Sequence, residues 1–321
     1  MVLPLLLVGS ALMCIAGLLV GSVGIVPGDV VRALFASDAP HADIITQLRL
    51  PRVLLAFAVG GALAVAGATL QAVVGNPLAE PWLLGLSGGA SLGAVVAVVV
   101  GLPAGWSVAT FATAGALLAI AIVYRVAVVA GGRLDPRVLL LAGVVTGVFA
   151  TALSSALLMV ADPFTFRAAT LWLFGGFAGA TWPALGQFVV TALPGLLLIT
   201  WLSRSLDLIA LGDETATTLG ADVLRVRRLA ILAAAVLTAA TVAVCGVIGF
   251  VGLVVPHALR WLVGSLHRNL LPAVFLAGGS FTVFADAIAR SVMAPVELQV
   301  GIITALVGVP IFALLMRRSV A

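Results

Sequence analysis

Residues 52–73 read RVLLAFAVGGALAVAGATLQAV, and after Arg52 this segment contains no charged side chain. The hydrocarbon core of a bilayer is about 30 Å thick, so a helix needs roughly 20 consecutive apolar residues to cross it. The segment has that length and is built almost entirely from small and branched apolar residues. It therefore predicts a membrane-spanning helix.

Apolar segments of this kind recur along the whole chain of 321 residues, which is 63% hydrophobic and 9% charged. A soluble domain has about 25% charged residues, so most of this chain is expected to face lipid. Ala, Val, Leu and Gly dominate, which favours closely packed helices over a barrel of alternating strands. We predict an all-α polytopic membrane bundle of about ten transmembrane helices, forming one domain over residues 1–321. The ten predicted spans are 3–24, 52–73, 82–101, 108–130, 138–160, 185–203, 226–250, 253–264, 272–292 and 298–316.

The arginines predict the orientation of these spans. With the N-terminus in the cytoplasm, eleven arginines fall at cytoplasmic ends and five at external ends, as the positive-inside rule requires. Both termini are then cytoplasmic. The first span lacks a basic leading region and a small-residue cleavage site, so we expect it to be retained. The prediction depends on span 253–264, which is too short to cross unaided.

Several functional classes are disfavoured by composition. All 16 basic residues are arginine, and a phosphate-binding P-loop requires a lysine, so this chain cannot hold that ATPase site. The net charge of +4 reflects membrane topology and predicts no nucleic-acid partner. Cys14 and Cys245 lie within apolar segments and are expected to pack there. The three histidines do not converge in this topology and no metal-binding spacing occurs, so no protein-held metal or cofactor is predicted.

One polar segment interrupts the pattern: residues 211–228, LGDETATTLGADVLRVRR, contain six charged residues. Asp213 and Glu214 suit the N-terminus of a short helix, and Gly220 suits its end. Asp222 can then cap a second helix that continues into the next span. Composition alone favours a solvated loop. The alternative is a docking element for a soluble partner, since the segment carries small side chains that fit a groove.

Five segments resemble the permeases of the ABC importers that carry iron chelates, haem and cobalamin, with the cobalamin permeases (type II importers) as the nearest likeness. Together they cover nearly the whole chain in order. Gln299 is a departure, because the family usually has proline there. The segments are LGDETATTLG with the arginines after it, RLPRVLLAFAVGGALAVAGATLQAVVGNPLAEPWLLGLSGGASLGA (49–94), GFVGLVVPHALR (249–260), ADAIAR (285–290) and ELQVGIITALVGVPIFALLMRR (297–318).

The resemblance implies a multi-pass permease of the bacterial inner membrane that works with a second permease subunit, as a homodimer. Two cytoplasmic ABC ATPase subunits hydrolyse the ATP, and a periplasmic or lipid-anchored binding protein delivers the substrate. The permease itself is then not an enzyme. Residues 206–220 are implied to be the coupling segment that inserts into the ATPase. The implied coupling residues are Leu211, Gly212, Asp213, Glu214, Ala216, Leu219 and Gly220.

The resemblance also assigns roles at both membrane faces. Arg49, Arg52 and Arg290 match arginines that dock acidic residues of the binding protein. For the first two, interfacial snorkelling is the alternative. For Arg290, a local pair with Asp286 one turn earlier is possible, and both roles can hold together.

Residues 75–81, GNPLAEP, match the loop that closes the cytoplasmic mouth of the pathway, with Asn76, Pro77 and Leu78 as the gate. Irregular backbone at this depth is tolerated where it lines a cavity. The alternative is an ordinary tight turn between two spans. The neighbouring segment LSGGASLG (86–93) offers small faces, which we expect to serve close helix packing, and lining of the pathway is the alternative.

The leading functional prediction is therefore an import permease for a ferric siderophore, haem or cobalamin, with the choice among them open. An ion-coupled secondary transporter is the first alternative, and it would need buried carboxylates that bind the coupling ion. Asp286 is the one clear candidate. An intramembrane enzyme is the second alternative, but the 12 acidic residues are scattered and mostly lie in loops.

Overall fold

The computed structural model of the chain describes residues 2–21, 24–36, 41–103, 105–131, 136–294 and 296–320. For residues 34, 35, 130, 131, 136, 137 and 315–320 it describes the backbone alone. Within these ranges the chain is helical and contains no β-strand, so the predicted all-α class is confirmed.

Thirteen α-helices follow one another in the described ranges, and a π-helical segment, Ile44–Arg49, leads directly into the third. The helices are α1 (Val2–Leu19), α2 (Pro27–Phe35), α3 (Leu50–Val74), α4 (Leu86–Val99), α5 (Trp106–Gly131), α6 (Pro136–Met159), α7 (Pro163–Leu173), α8 (Trp182–Ile209), α9 (Asp213–Thr218), α10 (Val223–Cys245), α11 (Val251–Val263), α12 (His267–Ser291) and α13 (Val300–Val320).

Ten of these helices are apolar and coincide with the ten predicted spans. Seven of the described helices are long and apolar enough to cross a membrane by length and composition. The other three, α4, α11 and α13, have shorter apolar portions. The prediction of about ten transmembrane helices is therefore confirmed as an approximate count, and the eighth predicted span is indeed a short helix of 13 residues.

Two short helices, α2 and α7, were not predicted, because the sequence analysis searched only for bilayer-length apolar runs. Both begin with a proline, whose fixed φ suits the first helical turn. The Asp162 carboxylate caps α7 by accepting the backbone N–H groups of Phe164 and Thr165, each at 3.0 Å. Hydrogen bonds from Thr165 and Phe164 lower the pKa of Asp162.

Helix α3 lies at the centre of the bundle and is buried along most of its length. It packs against α8, α10, α11 and α12. Glycines allow the closest of these approaches: a Cβ on Gly60 would overlap the Gly278 carbonyl of α12, and one on Gly67 would overlap the Gly252 carbonyl of α11. Backbones can approach this closely only where neither helix carries a side chain.

Helix α4 shows the same principle in the segment LSGGASLG. Gly89 and Gly93 lie against the backbone of α5, and Gly88 lies against Gly147 of α6. The expectation that these small residues serve helix packing is therefore confirmed.

We expect Gly67→Ala to prevent correct packing of α3 on α11, because the new methyl group has no space beside a rigid backbone. The yield of monodisperse protein in detergent should fall several-fold, as measured by fluorescence-detected size-exclusion chromatography. Gly9→Ala in α1 is the matched control, since a Cβ there meets no atom within 4 Å. Equal yields of the two variants would contradict the packing account.

Candidate functional site

A short exposed helix, α9, stands between α8 and α10 at one end of the bundle, which we call the α9 end. Gly212 precedes it with φ 102° and Gly220 follows it with φ 87°, values that favour glycine. The Asp222 carboxylate accepts the N–H of Arg225 at 3.0 Å and caps α10. The predicted first helix and both of its glycines are present. The predicted second helix is the first part of α10 itself.

The coupling segment is unusual for a polar segment because exposed leucines flank α9. Ala216 is fully buried against the bundle, whereas Leu211 is 63% exposed and Leu219 is 58% exposed. The other predicted coupling residues, Gly212, Asp213, Glu214 and Gly220, are exposed as well. Large exposed apolar side chains beside a polar helix favour contact with a partner over a purely solvated loop.

Arg227, on the first turns of α10, holds α9 in place. Its guanidinium Nη1 and Nη2 atoms donate to both carboxylate oxygens of Asp213 at 2.8 Å each. Its Nε donates to the backbone carbonyl of Val73 at 3.2 Å. Val73 is the penultimate residue of α3, so one side chain joins α9, α10 and the end of α3.

The predicted gate follows α3 directly. Gly75 ends the helix in the left-handed conformation, and the side-chain oxygen of Asn76 accepts the N–H of Leu78 at 2.9 Å. This turn holds Pro77 and Leu78 at the surface of the α9 end. Further along, the buried Glu80 accepts a hydrogen bond from the backbone of Phe250, which anchors the loop to the start of α11.

A cavity of about 480 Å³ opens beside the gate and reaches the coupling segment. Two polar pairs line it. Arg260 of α11 donates to the side-chain oxygen of Gln71 in α3. The Asp207 carboxylate of α8 lies 2.6 Å from the His267 ring and accepts its backbone N–H at 2.8 Å, so it caps α12. Asn76, Pro77 and Leu211 complete the wall that links the gate to the coupling segment.

The three predicted docking arginines meet at the opposite end of the bundle, which we call the Arg52 end. Arg49 donates to the carbonyls of Leu18 and Leu19 at 2.7 and 3.1 Å. Arg290 donates to the carbonyls of Val20 and Gly17 at 2.7 and 3.1 Å. Both side chains therefore satisfy the last carbonyls of α1, where positive charge is also favourable.

Arg52 occupies a different position in the same cluster. Its guanidinium contacts the carboxylate of the fully buried Asp286 at 2.9 Å and that of Glu297 at 3.0 Å. Asp286 also pairs with Arg290 at 3.0 Å, as the i,i+4 spacing predicted. The Glu297 side chain is 42% exposed, so this carboxylate closes the outer side of the cluster.

The structure thus places Leu211 of the predicted coupling residues and Asn76 and Pro77 of the predicted gate around one cavity, and it places the three arginines together at the other end. The sequence analysis did not assign Arg227, Glu297 or Asp207. Arg227 was counted only toward topology, although its position five residues after the Asp222 cap is a local signal. Within the described residues, no three His, Cys, Asp or Glu side chains gather closely enough to hold a metal ion.

The model of the FecCD transport family matches residues 6–318, nearly the entire chain. The chain belongs to the FecCD transport family. Its similarity to curated members extends over most of their length. It is 42% identical over 278 residues to the vitamin B12 import system permease protein BtuC of Klebsiella pneumoniae, covering 86% of this chain and 82% of that protein. It is 38% identical over 288 residues to the ABC transporter permease protein YvrB of Bacillus subtilis, covering 88% and 81%.

Solved structures agree with this FecCD assignment. A metal-chelate type ABC transporter in an inward-facing conformation matches with a TM-score of 0.86 and 30% identity, covering 99% of both chains. PsaBC from Streptococcus pneumoniae matches with a TM-score of 0.61 and 19% identity, covering 85% of this chain and 92% of that one, which shows the fold alone. This FecCD member is a multi-span permease of the ABC-importer class in the bacterial cytoplasmic (inner) membrane.

Proposed function

We propose that this FecCD permease imports a metal chelate and that its relatives point to a cobalamin as the first candidate. The observation that carries the proposal is the 42% identity to a vitamin B12 import permease over 86% of the chain. The solved metal-chelate type transporter, matched over its whole length, supports the wider chelate class. Ferric siderophores and haem remain the other members of that class. The ion-coupled alternative loses its candidate, because Asp286 is held by two arginines.

In this proposal two copies of the permease form the pathway, and the α9 end faces the cytoplasm. Arg204, Arg225, Arg227 and Arg228 lie at that end, in agreement with the positive-inside rule. Helix α9 inserts into an ABC ATPase subunit, so each of two ATPases engages one permease. Asn76, Pro77 and Leu78 close the mouth of the pathway beside it. The sequence contains no lysine and therefore no P-loop, so ATP hydrolysis is assigned to the ATPase subunits.

The Arg52 end then faces outward and receives the substrate-binding protein. Arg49 and Arg290 are 6% exposed each and cap α1, so their proposed part in docking is to hold the cluster positive. Arg52 is the arginine best placed to contact a partner, because one of its two ion-pair partners, Glu297, lies exposed at the surface. A guanidinium fork suits the bidentate binding of a carboxylate on the binding protein.

The proposal is tested by purifying the tagged permease from its native membranes and identifying the proteins that accompany it. We expect an ABC ATPase and a substrate-binding protein. The recovered complex is then placed in proteoliposomes, and uptake of radiolabelled cyanocobalamin, a ferric hydroxamate and haemin is measured with and without ATP. Uptake driven by an ion gradient and independent of the ATPase would overturn the assignment.

We expect Glu297→Gln to strengthen capture of the binding protein, because the exposed intramolecular ion pair then no longer competes for Arg52. Exposed pairs are worth a few tenths to one kcal/mol, so the affinity should rise about two- to fivefold. Surface plasmon resonance on nanodisc-embedded permease measures this. Asp43→Asn is the control, since it removes an exposed acid from the same end that forms no ion pair within the described ranges. Weaker or unchanged binding by Glu297→Gln would count against docking at Arg52.

A further inference from the structure

Arg227 links two segments that the proposed function treats separately, the ATPase-docking helix and the gate. Its side chain is 15% exposed and lies between α9 and the end of α3. The contacts to Asp213 at 2.8 Å and to the Val73 carbonyl at 3.2 Å are made by different edges of one planar group. Two residues after Val73 the chain reaches Gly75, where α3 ends and the gate turn begins.

The geometry requires arginine. A guanidinium presents five donors in a rigid fork, so it can grip both carboxylate oxygens with its terminal nitrogens while Nε donates elsewhere. A lysine ammonium is a point charge that reaches one site at a time. The Val73 carbonyl is available for this contact because the last carbonyls of a helix have no partner within the helix.

We propose that Arg227 is a positioning residue for transport, which fixes helix α9 to the end of α3 so that movement of α9 displaces the gate at Asn76, Pro77 and Leu78. The inference rests on the proposed function, because it takes α9 as the ATPase-docking helix. It adds the route by which the ATPase acts on the gate. A second connection runs from α8 through Asp207 to α12, and among the described residues neither Asp207 nor His267 makes a hydrogen bond to α3.

Two variants separate this role from simple support of α9. Arg227→Lys keeps the charge and can keep the pair with Asp213, but it cannot hold Val73 at the same time. Arg228→Lys is the matched control, since the neighbouring arginine contacts Tyr124 at 3.1 Å and, among the described residues, makes no hydrogen bond or ion pair with α9.

The test uses the complete transporter in proteoliposomes, with the ATPase recovered in the purification described above. We expect Arg227→Lys to bind the ATPase as the wild type does and to hydrolyse ATP. The number of substrate molecules imported per ATP should fall roughly 2- to 30-fold, the range expected for loss of one coupling contact. Arg228→Lys should retain the wild-type ratio.

A direct readout follows the gate itself. Spin labels are placed at Leu78 in both copies after Cys14 and Cys245 are replaced, and the distance between the labels is measured by pulsed EPR with and without ATP and vanadate. We expect the nucleotide-dependent shift in the wild type to shrink in Arg227→Lys. A purely supporting role predicts that Arg227→Lys, which can keep the pair with Asp213, retains both the wild-type shift and the wild-type import ratio, and that result would overturn the inference. Failure of the proposed function is distinguishable, because the wild type would then bind no ATPase.

Discussion

Replacing residues 213–220 with a Gly/Ser linker of equal length is expected to abolish binding of the ATPase subunits while leaving the permease inserted in the membrane. Helix α9 is the rigid six-residue helix that an ATPase cleft would receive, and the exposed Leu211 and Leu219 flank it. A flexible linker lacks the fixed shape of α9, and it loses conformational entropy when it becomes ordered on binding. We expect co-purification of the ATPase to fall at least about a hundredfold, as a core contact of an interface is lost.

A milder pair of variants tests the surface without removing the helix. Leu211→Ser with Leu219→Ser should weaken ATPase binding about tenfold or more, because central apolar side chains commonly contribute over 1 kcal/mol each to an interface. Thr217→Ser with Thr218→Ser is the matched control, since it preserves both hydroxyl groups on the same helix. Size-exclusion profiles report whether each permease remains folded. An ATPase that stays bound to the linker variant would remove α9 from the coupling site.

The second large effect is expected at Asp286. Asp286→Asn keeps the shape of the side chain but removes the charge that neutralises Arg52 and Arg290, whose side chains are 13% and 5% exposed. Removing one partner from a buried ionic cluster lowers the free energy of unfolding by about 3–5 kcal/mol, since the remaining charges stay in a low-dielectric environment. The apparent melting temperature in detergent should fall strongly, and differential scanning fluorimetry measures it.

Glu297→Gln is the matched control for stability, because it removes the exposed partner of the same arginine. Glu297→Gln should lower the free energy of unfolding by less than about 1 kcal/mol, as is usual for exposed ion pairs. Equal melting temperatures for the two variants would mean that Asp286 is not the ionic centre of the cluster. The α1 C-terminus should loosen in Asp286→Asn, because Arg290 caps it, and faster hydrogen exchange near Val20 would report this.

Features that depend on local sequence were predictable. The apolar runs specify the ten apolar helices, the acids and glycines specify α9, and the spacing of Asp286 and Arg290 specifies their pair. The residues that form each of these signals lie close together along the chain, so each signal can be recognised without knowledge of the fold. Helices α2 and α7 were missed because they are shorter than a bilayer span and their signals are only a first-turn proline and a cap.

The contacts that define the two ends could not be predicted in the same way. Arg52 and Glu297 are 245 residues apart, and Arg227 and Val73 are 154 residues apart. Nothing in one sequence specifies which of several arginines meets a distant carboxylate or carbonyl, because that choice depends on how the helices pack. The burial of Arg49 and Arg290 against α1 has the same origin. Their residue type indicated a functional cluster, whereas its internal hydrogen bonds became visible only in the fold.

The glycine contacts of α3 have a mechanical consequence. Where Gly60 meets Gly278 and Gly67 meets Gly252, backbone touches backbone and no layer of side chains can shear. Helices α3, α11 and α12 are thus expected to rotate as one rigid body. Within this body, α3 extends from Arg52 at one end of the bundle to Gly75 at the other. A 25-residue helix is about 37 Å long, so rotation of about 5° around one end carries the other end about 3 Å. A small tilt of α3 can thus move residues at both ends of the bundle at the same time.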